Sequence, residues 1–357
     1  MHIVDAHFHW YPRTFFEHLC SRNSYPRCEP NDKGGYFYIR EEGKEPTFDF
    51  SSIWFELDPL LERMNEDGHE VDVITSLGPF SVHWSDVPPD VGRDDAVLWN
   101  EEIAATQRRL GGRFWGIGSV PLTDGKIAVE VLDHAVKELG LLGVNIPSSI
   151  GHGGRIDDPK LEPFYDRLEA LGAVLFLHPT DTQLEQVCEG YDGALYLSLG
   201  RVMDVSLAAA RLIFSGILER HPKLKVYMTH TGGVLPYQSG RMDKTTPQAG
   251  VGSFSRGVKL PQPASTYIKR LHTDIVQPNA LGLKFAIDYF GIDHIIYGTD
   301  YPCWNPTIAL KFFNEMGLSQ ADQQKIFQDN AVKFFGLDAS AAGKSRYGAK
   351  RKEAIAS

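Results

Sequence analysis

The stretch Ile3–Trp10, IVDAHFHW, decides the reading of this chain: a short apolar run ends on two histidines, His7 and His9, two residues apart. Side chains alternate across a β-strand with period two, so both imidazoles face one side and can grip one metal ion. Three later strand-like runs end on a potential partner: VLFLH at His178, KVYMTH at His230 and IIYGTD at Asp300. An HxH pair alone is weak evidence of a metal site. Four strand ends converging on one kind of chemistry are strong evidence.

Outward from this strand, Tyr11–Ser52 is rich in Gly, Pro and aromatics with weak periodicity, and reads as an inserted lid or substrate loop with a small hairpin near Tyr36–Arg40. Strands are then expected at Val71–Leu77, Phe114–Val120, Leu142–Ile146, Val174–His178, Lys225–His230, Leu271–Asp274 and His294–Tyr297. Helices are expected between them at Leu57–Asp67, Asp94–Leu110, Lys126–Leu139, Asp158–Leu171, Val205–Arg220, Ala280–Phe290 and Gln320–Phe335. Strand–helix alternation through eight strands describes an α/β chain folded as a (β/α)8 TIM barrel with an insertion after strand 1. Residues 1–340 form one domain in this reading, 11–52 is its insertion, and 341–357 is a polar tail.

Composition narrows the function class. Apolar residues at 42% and charged residues at 23% are ordinary for a globular chain. A formal net charge of −10 argues against a nucleic-acid partner, which requires a basic surface. The four cysteines, Cys20, Cys28, Cys188 and Cys303, show no CxxC pairing, which fits reduced thiols in a cytoplasm. No export signal and no apolar run of about 18 residues is present, so no membrane partner is expected.

In a barrel of this kind functional residues sit at the C-terminal ends of strands, where His7, His9, His178, His230 and Asp300 all fall. Each has a structural alternative: His178 precedes a proline, and Asp300 in GTDYP could cap a turn. Imidazoles with a carboxylate suit zinc first, with manganese, iron or cobalt as alternatives, and the absence of thiolate ligands points to a catalytic site. His7, His9, His178 and Asp300 are the expected ligands of one divalent ion. His230 is kept as an unligated base or acid, because imidazole titrates near neutrality. The aromatic cluster Trp54, Phe55, Phe80, His83 and Trp84 reads equally as pocket lining or core, and His152 as a loop histidine.

From DAHFH through GVNIPSSI, LFLHP, FSGILERHPKLKVYMTHTGGVLPYQSGRMD and YGTDYP, the chain resembles the aminocarboxymuconate semialdehyde decarboxylase family of the amidohydrolase superfamily. The resemblance implies a mononuclear metal on His7, His9, His178 and Asp300, with His230 as the proton-transfer residue. It also implies that Arg241, in the GRMD turn, binds a substrate carboxylate, for which a guanidinium fork is suited. A homodimer is implied as well, with an arginine equivalent to Arg241 reaching the neighbouring subunit's site. Asn145 occupies the region where binuclear relatives carry a bridging lysine, which argues against a second metal. The family's second substrate arginine has no clear counterpart; Arg40 is nearest in character. PTDTQLEQ after His178 lacks the expected aromatic residue, so the substrate differs from that of the named decarboxylase.

The resulting expectation is a metal-dependent, non-oxidative decarboxylase of an unsaturated or aromatic carboxylic acid, needing no organic cofactor. A hydrolase of a lactone, amide or C–C bond, or a hydratase, is the alternative on the same ligand set. A non-catalytic barrel is the third reading, and a retained ligand set with a neighbouring base argues against it.

Overall fold

In the computed structural model, described over residues 2–66, 70–150, 154–180, 184, 186–246 and 260–337, β1 (His2–Phe8) is buried from its second residue onward. Asp67 at the end of the expected Leu57–Asp67 helix, His152, half of the PTDTQLEQ stretch and the 341–357 tail lie outside the described residues. A three-stranded antiparallel sheet, β2 (Arg27–Pro30), β3 (Tyr36–Ile39) and β4 (Phe48–Phe50), falls within the expected insertion. β1 pairs in parallel with β5 (Glu70–Thr75), and β5 with β6 (Phe114–Gly116). A second parallel sheet runs in the order β11-β10-β9-β8-β7, from β7 (Gly118–Ser119) through β8 (Gly143–Pro147), β9 (Val174–His178) and β10 (Lys225–Met228) to β11 (His272–Thr273).

Parallel neighbours need a crossover, and helical segments supply it between each consecutive pair from β5 onward, with β6 and β7 parted only by Ile117. The two sheets are linked where the Ile117 N–H donates to the Thr75 carbonyl at 2.9 Å and the Leu142 N–H to the Gly116 carbonyl at 3.0 Å. At the other edges, Ala6 N–H donates to Tyr297 O (2.9 Å), His9 N–H to Tyr301 O (2.8 Å) and Ile296 N–H to Thr273 O (2.8 Å). The strand expected at His294–Tyr297 is a correction: His294 closes a 3-10 turn, and only Ile295 makes a bridge, to Thr273.

Val4, Ile74, Phe176 and Tyr227 from four strands, with Ile117 and Ile296 from the segments that link the sheets, form an inner apolar cluster with Phe334 and Phe335. Full burial of such side chains stabilises by about 2 kcal/mol apiece. The register of β1 shifts between Asp5 and Phe8. Val4 and Ala6 belong to the inner cluster, yet the odd-numbered His7 also reaches it, its ring edge-on to Phe176 at 6.0 Å. A bulge re-aims side chains in this way, and here it turns the HxH pair inward.

Among the described residues, three helices of eight or more residues were not expected from the sequence: Arg13–Cys20, Leu235–Thr245 and Pro306–Glu315. Phe15, Phe16 and Leu19 bury one face of the first against Tyr11, Tyr36, Phe50 and Phe80, so the aromatics that blurred the periodicity form a core of their own. Polar contacts tie this insertion to the rest. Arg22 forks onto the Asp95 carboxylate, His83 Nε2 lies 2.8 Å from Asp95 Oδ2, and Tyr38 Oη meets His83 Nδ1 at 2.9 Å.

At the opposite end of the strands, the His272 ring stacks on Phe334 at 4.1 Å and lies 4.5 Å from His294. Burial, then the neighbouring His294, Lys333 and Lys225, push its pKa from 6.5 down to about 3. Between those values the unfolded chain binds a proton that the folded one refuses. Stability present above pH 6.5 is therefore lost as pH falls toward 3, by up to about 4 kcal/mol from this group. Urea unfolding of His272→Leu should show a shallower loss across that window than the parent, by about one proton; equal slopes would exclude this role.

Candidate metal centre

His7 is the last residue but one of β1 and His9 follows that strand, His178 ends β9, His230 lies two residues beyond β10, and Asp300 lies on the segment that bridges back to Phe8. His7, His9, His178 and Asp300 are all buried, and each offers one donor atom within 4.8 Å of the others. His230 and Asp300 have φ of 57° each. Non-glycine residues are uncommon in that left-handed region, and such strain gathers at functional sites. Gly78 lies against His9: a Cβ there would come within 2.3 Å of its Cε1.

The hydrogen bonds settle which nitrogen each ring presents. His9 Nδ1 lies 3.1 Å from the Ser76 carbonyl and His178 Nδ1 2.9 Å from the Pro179 carbonyl. A carbonyl only accepts, so both Nδ1 atoms carry the proton and both Nε2 atoms present a lone pair. His7 Nδ1 likewise meets Asp274 Oδ2 at 2.7 Å. The three Nε2 atoms are left for the centre. His178 Nε2 is buried with no hydrogen-bond partner, while the Nε2 atoms of His7 and His9 face Asp300 Oδ1 at 3.2 and 3.0 Å.

Lone pair facing carboxylate is stable only with a cation between them. Burial and, for His178, the neighbouring His9, His7 and His230 press the pKa of His178 well below its ordinary value, and burial lowers that of His9. Burial opposes charge on His7 too, but the Asp300 and Asp274 carboxylates outweigh it and raise His7 to about 10. Despite its own burial, Asp300 is held well below the usual carboxylate range, by His7 first and then by its hydrogen bonds to His230, His7 and His9. The carboxylates thus favour positive charge at the point where the four side chains meet. Three neutral imidazoles and one carboxylate fit a single divalent ion.

His230 Nε2 stands 3.4 Å from Asp300 Oδ2, and its Nδ1 3.2 Å from Thr229 Oγ1. Both His230 and Asp300 line a cavity of ≈ 770 Å³ with Arg201, Tyr237, Phe285 and Trp304. The second metal position is closed to Asn145, whose Oδ1 accepts the Gly78 N–H at 2.9 Å.

The two arginines stand elsewhere. Arg40 pairs with Asp86, and Arg241 is exposed on the helix Leu235–Thr245. Neither is among the described residues lining the cavity. The expected GRMD turn is corrected to helix, and Asp243 receives the N–H and Oγ of Ser265, both at 2.8 Å, rather than Arg241. Of the aromatic cluster, Phe55, Phe80, His83 and Trp84 are core, whereas Trp54 stacks on His9 at 6.2 Å. Arg201 and Asp274 were missed. Neither lies in a motif, and only the fold brings them to the centre.

The family profile described as Amidohydrolase matches residues 4–337. The chain belongs to the amidohydrolase family. This amidohydrolase is 28% identical over 296 residues to 2-amino-3-carboxymuconate-6-semialdehyde decarboxylase of Dictyostelium discoideum, covering 81% of the chain and 78% of that protein. It is 31% identical over 259 residues to gamma-resorcylate decarboxylase of Rhizobium sp. (strain MTP-10005), covering 67% and 75%. Its fold is that of dihydroxybenzoic acid decarboxylase from Polaromonas sp. JS666, solved with bound manganese and the inhibitor 2-nitroresorcinol, at a TM-score of 0.74 and 21% identity over 96% of this chain and 99% of that one.

Proposed function

We propose that this amidohydrolase is a metal-dependent, non-oxidative decarboxylase of an aromatic or unsaturated carboxylic acid. The observation that carries the reading is His230, held 3.4 Å from a ligand carboxylate at the wall of the cavity and outside the ligand set. The carbon–carbon chemistry of the relatives supports it.

His7, His9, His178 and Asp300 would hold a divalent ion, which would supply Lewis acidity toward a substrate oxygen. His230 delivers a proton to the carbon that bears the carboxylate. The bond between that carbon and the carboxylate then breaks, carbon dioxide leaves, its electron pair returns to the ring or alkene, and His230 is reprotonated from solvent. Phe285 and Trp304 supply apolar contact surface in the wall of the cavity. Zinc is assigned first from the imidazole-rich donor set, with manganese supported by the Polaromonas structure.

The hydrogen bonds joining Thr75 to Ile117, Tyr297 to Ala6 and Thr273 to Ile296 support closure of the two parallel sheets into one (β/α)8 barrel over residues 1–340, with 11–52 as an inserted lid. We assign Arg40, paired with Asp86, to anchoring that insertion. Arg241, exposed on its helix, is assigned to the carboxylate in the cavity of a neighbouring subunit of a homodimer. The free cysteines and the lack, among the described residues, of any helix long and apolar enough to cross a membrane support a cytoplasmic place.

Incubating the metal-loaded protein with a panel of hydroxybenzoic and muconate-type acids tests the reading. Carbon dioxide is expected in equal amount to the acid consumed. A product heavier by one water, with no carbon dioxide, would make the protein a hydratase or hydrolase instead.

A further inference from the structure

We infer that Asp274 couples the metal centre to the proton-transfer histidine, one carboxylate holding both the ring of His7 and the backbone turn that carries His230. Asp274 lies just past β11 and is fully buried. Its Oδ2 accepts the His7 Nδ1–H at 2.7 Å and the His230 backbone N–H at 2.9 Å. Its Oδ1 accepts the N–H groups of Thr231 at 2.7 Å and Val276 at 3.0 Å. All four acceptor directions of the carboxylate are thereby occupied by donors from three separate parts of the chain.

Two features make this side chain more than a satisfied buried acid. The Nδ1–H of His178 donates to a backbone carbonyl and that of His9 to the carbonyl of Ser76, whose Oγ lies 3.4 Å away, so among the candidate ligand histidines only His7 has its Nδ1 held by a carboxylate. His230 and Thr231 have φ of 57° and 54°, a backbone turn that non-glycine residues adopt only when surrounding bonds impose it. Both of their N–H groups point to Asp274. Gly298 presses on the same place, since a Cβ there would come within 2.7 Å of His7 Cβ and 2.9 Å of Asp274 Cβ. The same oxygen, Oδ2, touches a ligand ring and the backbone of the proton donor. A change at either end is therefore felt at the other.

The inference rests on the decarboxylase reading only for what His230 does in turnover; the His7 arm stands on ligation alone. Asp274→Asn is nearly isosteric and keeps one oxygen for Thr231 and Val276, but sets an amide N–H₂ against two donors, His7 Nδ1–H and the His230 N–H. Three readouts apply to the same preparations. Zinc affinity, measured by competition with a chelator, should fall by about 10- to 100-fold. The His230 imidazole resonance in zinc-loaded, ¹⁵N-histidine-labelled protein, assigned by its loss in His230→Asn, should shift. kcat at saturating zinc should remain at least about tenfold below the parent. Asp274→Glu, which keeps the charge but displaces it, should fall between the two and guards against a folding failure of the first variant. Zinc affinity within twofold of the parent, or an unmoved His230 resonance, overturns the coupling. A parent that turns over no acid in the panel would instead sink the decarboxylase reading, with the zinc and resonance readouts still deciding the role of Asp274.

Discussion

His178→Ala and Asp300→Ala should each lose the bound ion and all measurable turnover. The parent is expected to hold about one divalent ion per chain, because four donors converge on one point and Asn145 cannot bridge to a second ion. His178 contributes the Nε2 that has no hydrogen-bond partner, so its loss removes a donor with no other task. Asp300 contributes the only negative charge in the ligand set, the charge that the His7 and His9 Nε2 atoms face. Without it three neutral imidazoles remain. Elemental analysis of the purified variants, beside rate measurements with added zinc and manganese, decides the matter. Two ions per chain in the parent, or full occupancy in either variant, would overturn the assigned ligand set.

The second large effect is expected at His230. His230→Asn should lower kcat by about 10²- to 10⁴-fold, the usual contribution of a positioned proton donor, while metal content stays at the parent level. Asparagine suits the test because it tolerates the left-handed backbone that His230 adopts at φ 57°. The N–H that donates to Asp274 is retained, so the turn survives. His230 Nε2 approaches Asp300 Oδ2 to 3.4 Å, which sets it beside the candidate ligands. A folded but metal-free His230→Asn protein would show that His230 belongs to the coordination sphere, and an unchanged kcat would show that another group moves the proton.

Much of this centre was legible in IVDAHFHW and its three companions, for a physical reason. A strand that ends on a ligand is a local pattern: a few apolar β-formers, then one histidine or aspartate, and parallel strands place their ends together. VLFLH and KVYMTH needed no tertiary information to be read this way. The eighth strand was legible only in part, because IIYGTD packs as a single bridge and bends at Asp300 instead of continuing a ladder. The insertion was opaque. Phe15, Phe16, Tyr36, Tyr38 and Phe50 pack on one another and on Phe80, so their spacing follows a small shared core rather than either period.

Read alone, the chain determined its alternating α/β order and the four side chains that converge at the candidate centre, His7, His9, His178 and Asp300, since each of these depends on residues near one another in sequence. The tertiary structure decided the rest. It supplied the β1 bulge that turns His7 inward, the carbonyls that select each tautomer, the placement of Arg40 and Arg241 away from the cavity, and the arrival of Asp274 between His7 and His230. Those features join residues up to 267 positions apart, as His7 and Asp274 are. Asp274 ends the expected Leu271–Asp274 run, but its role exists only where distant donors meet it.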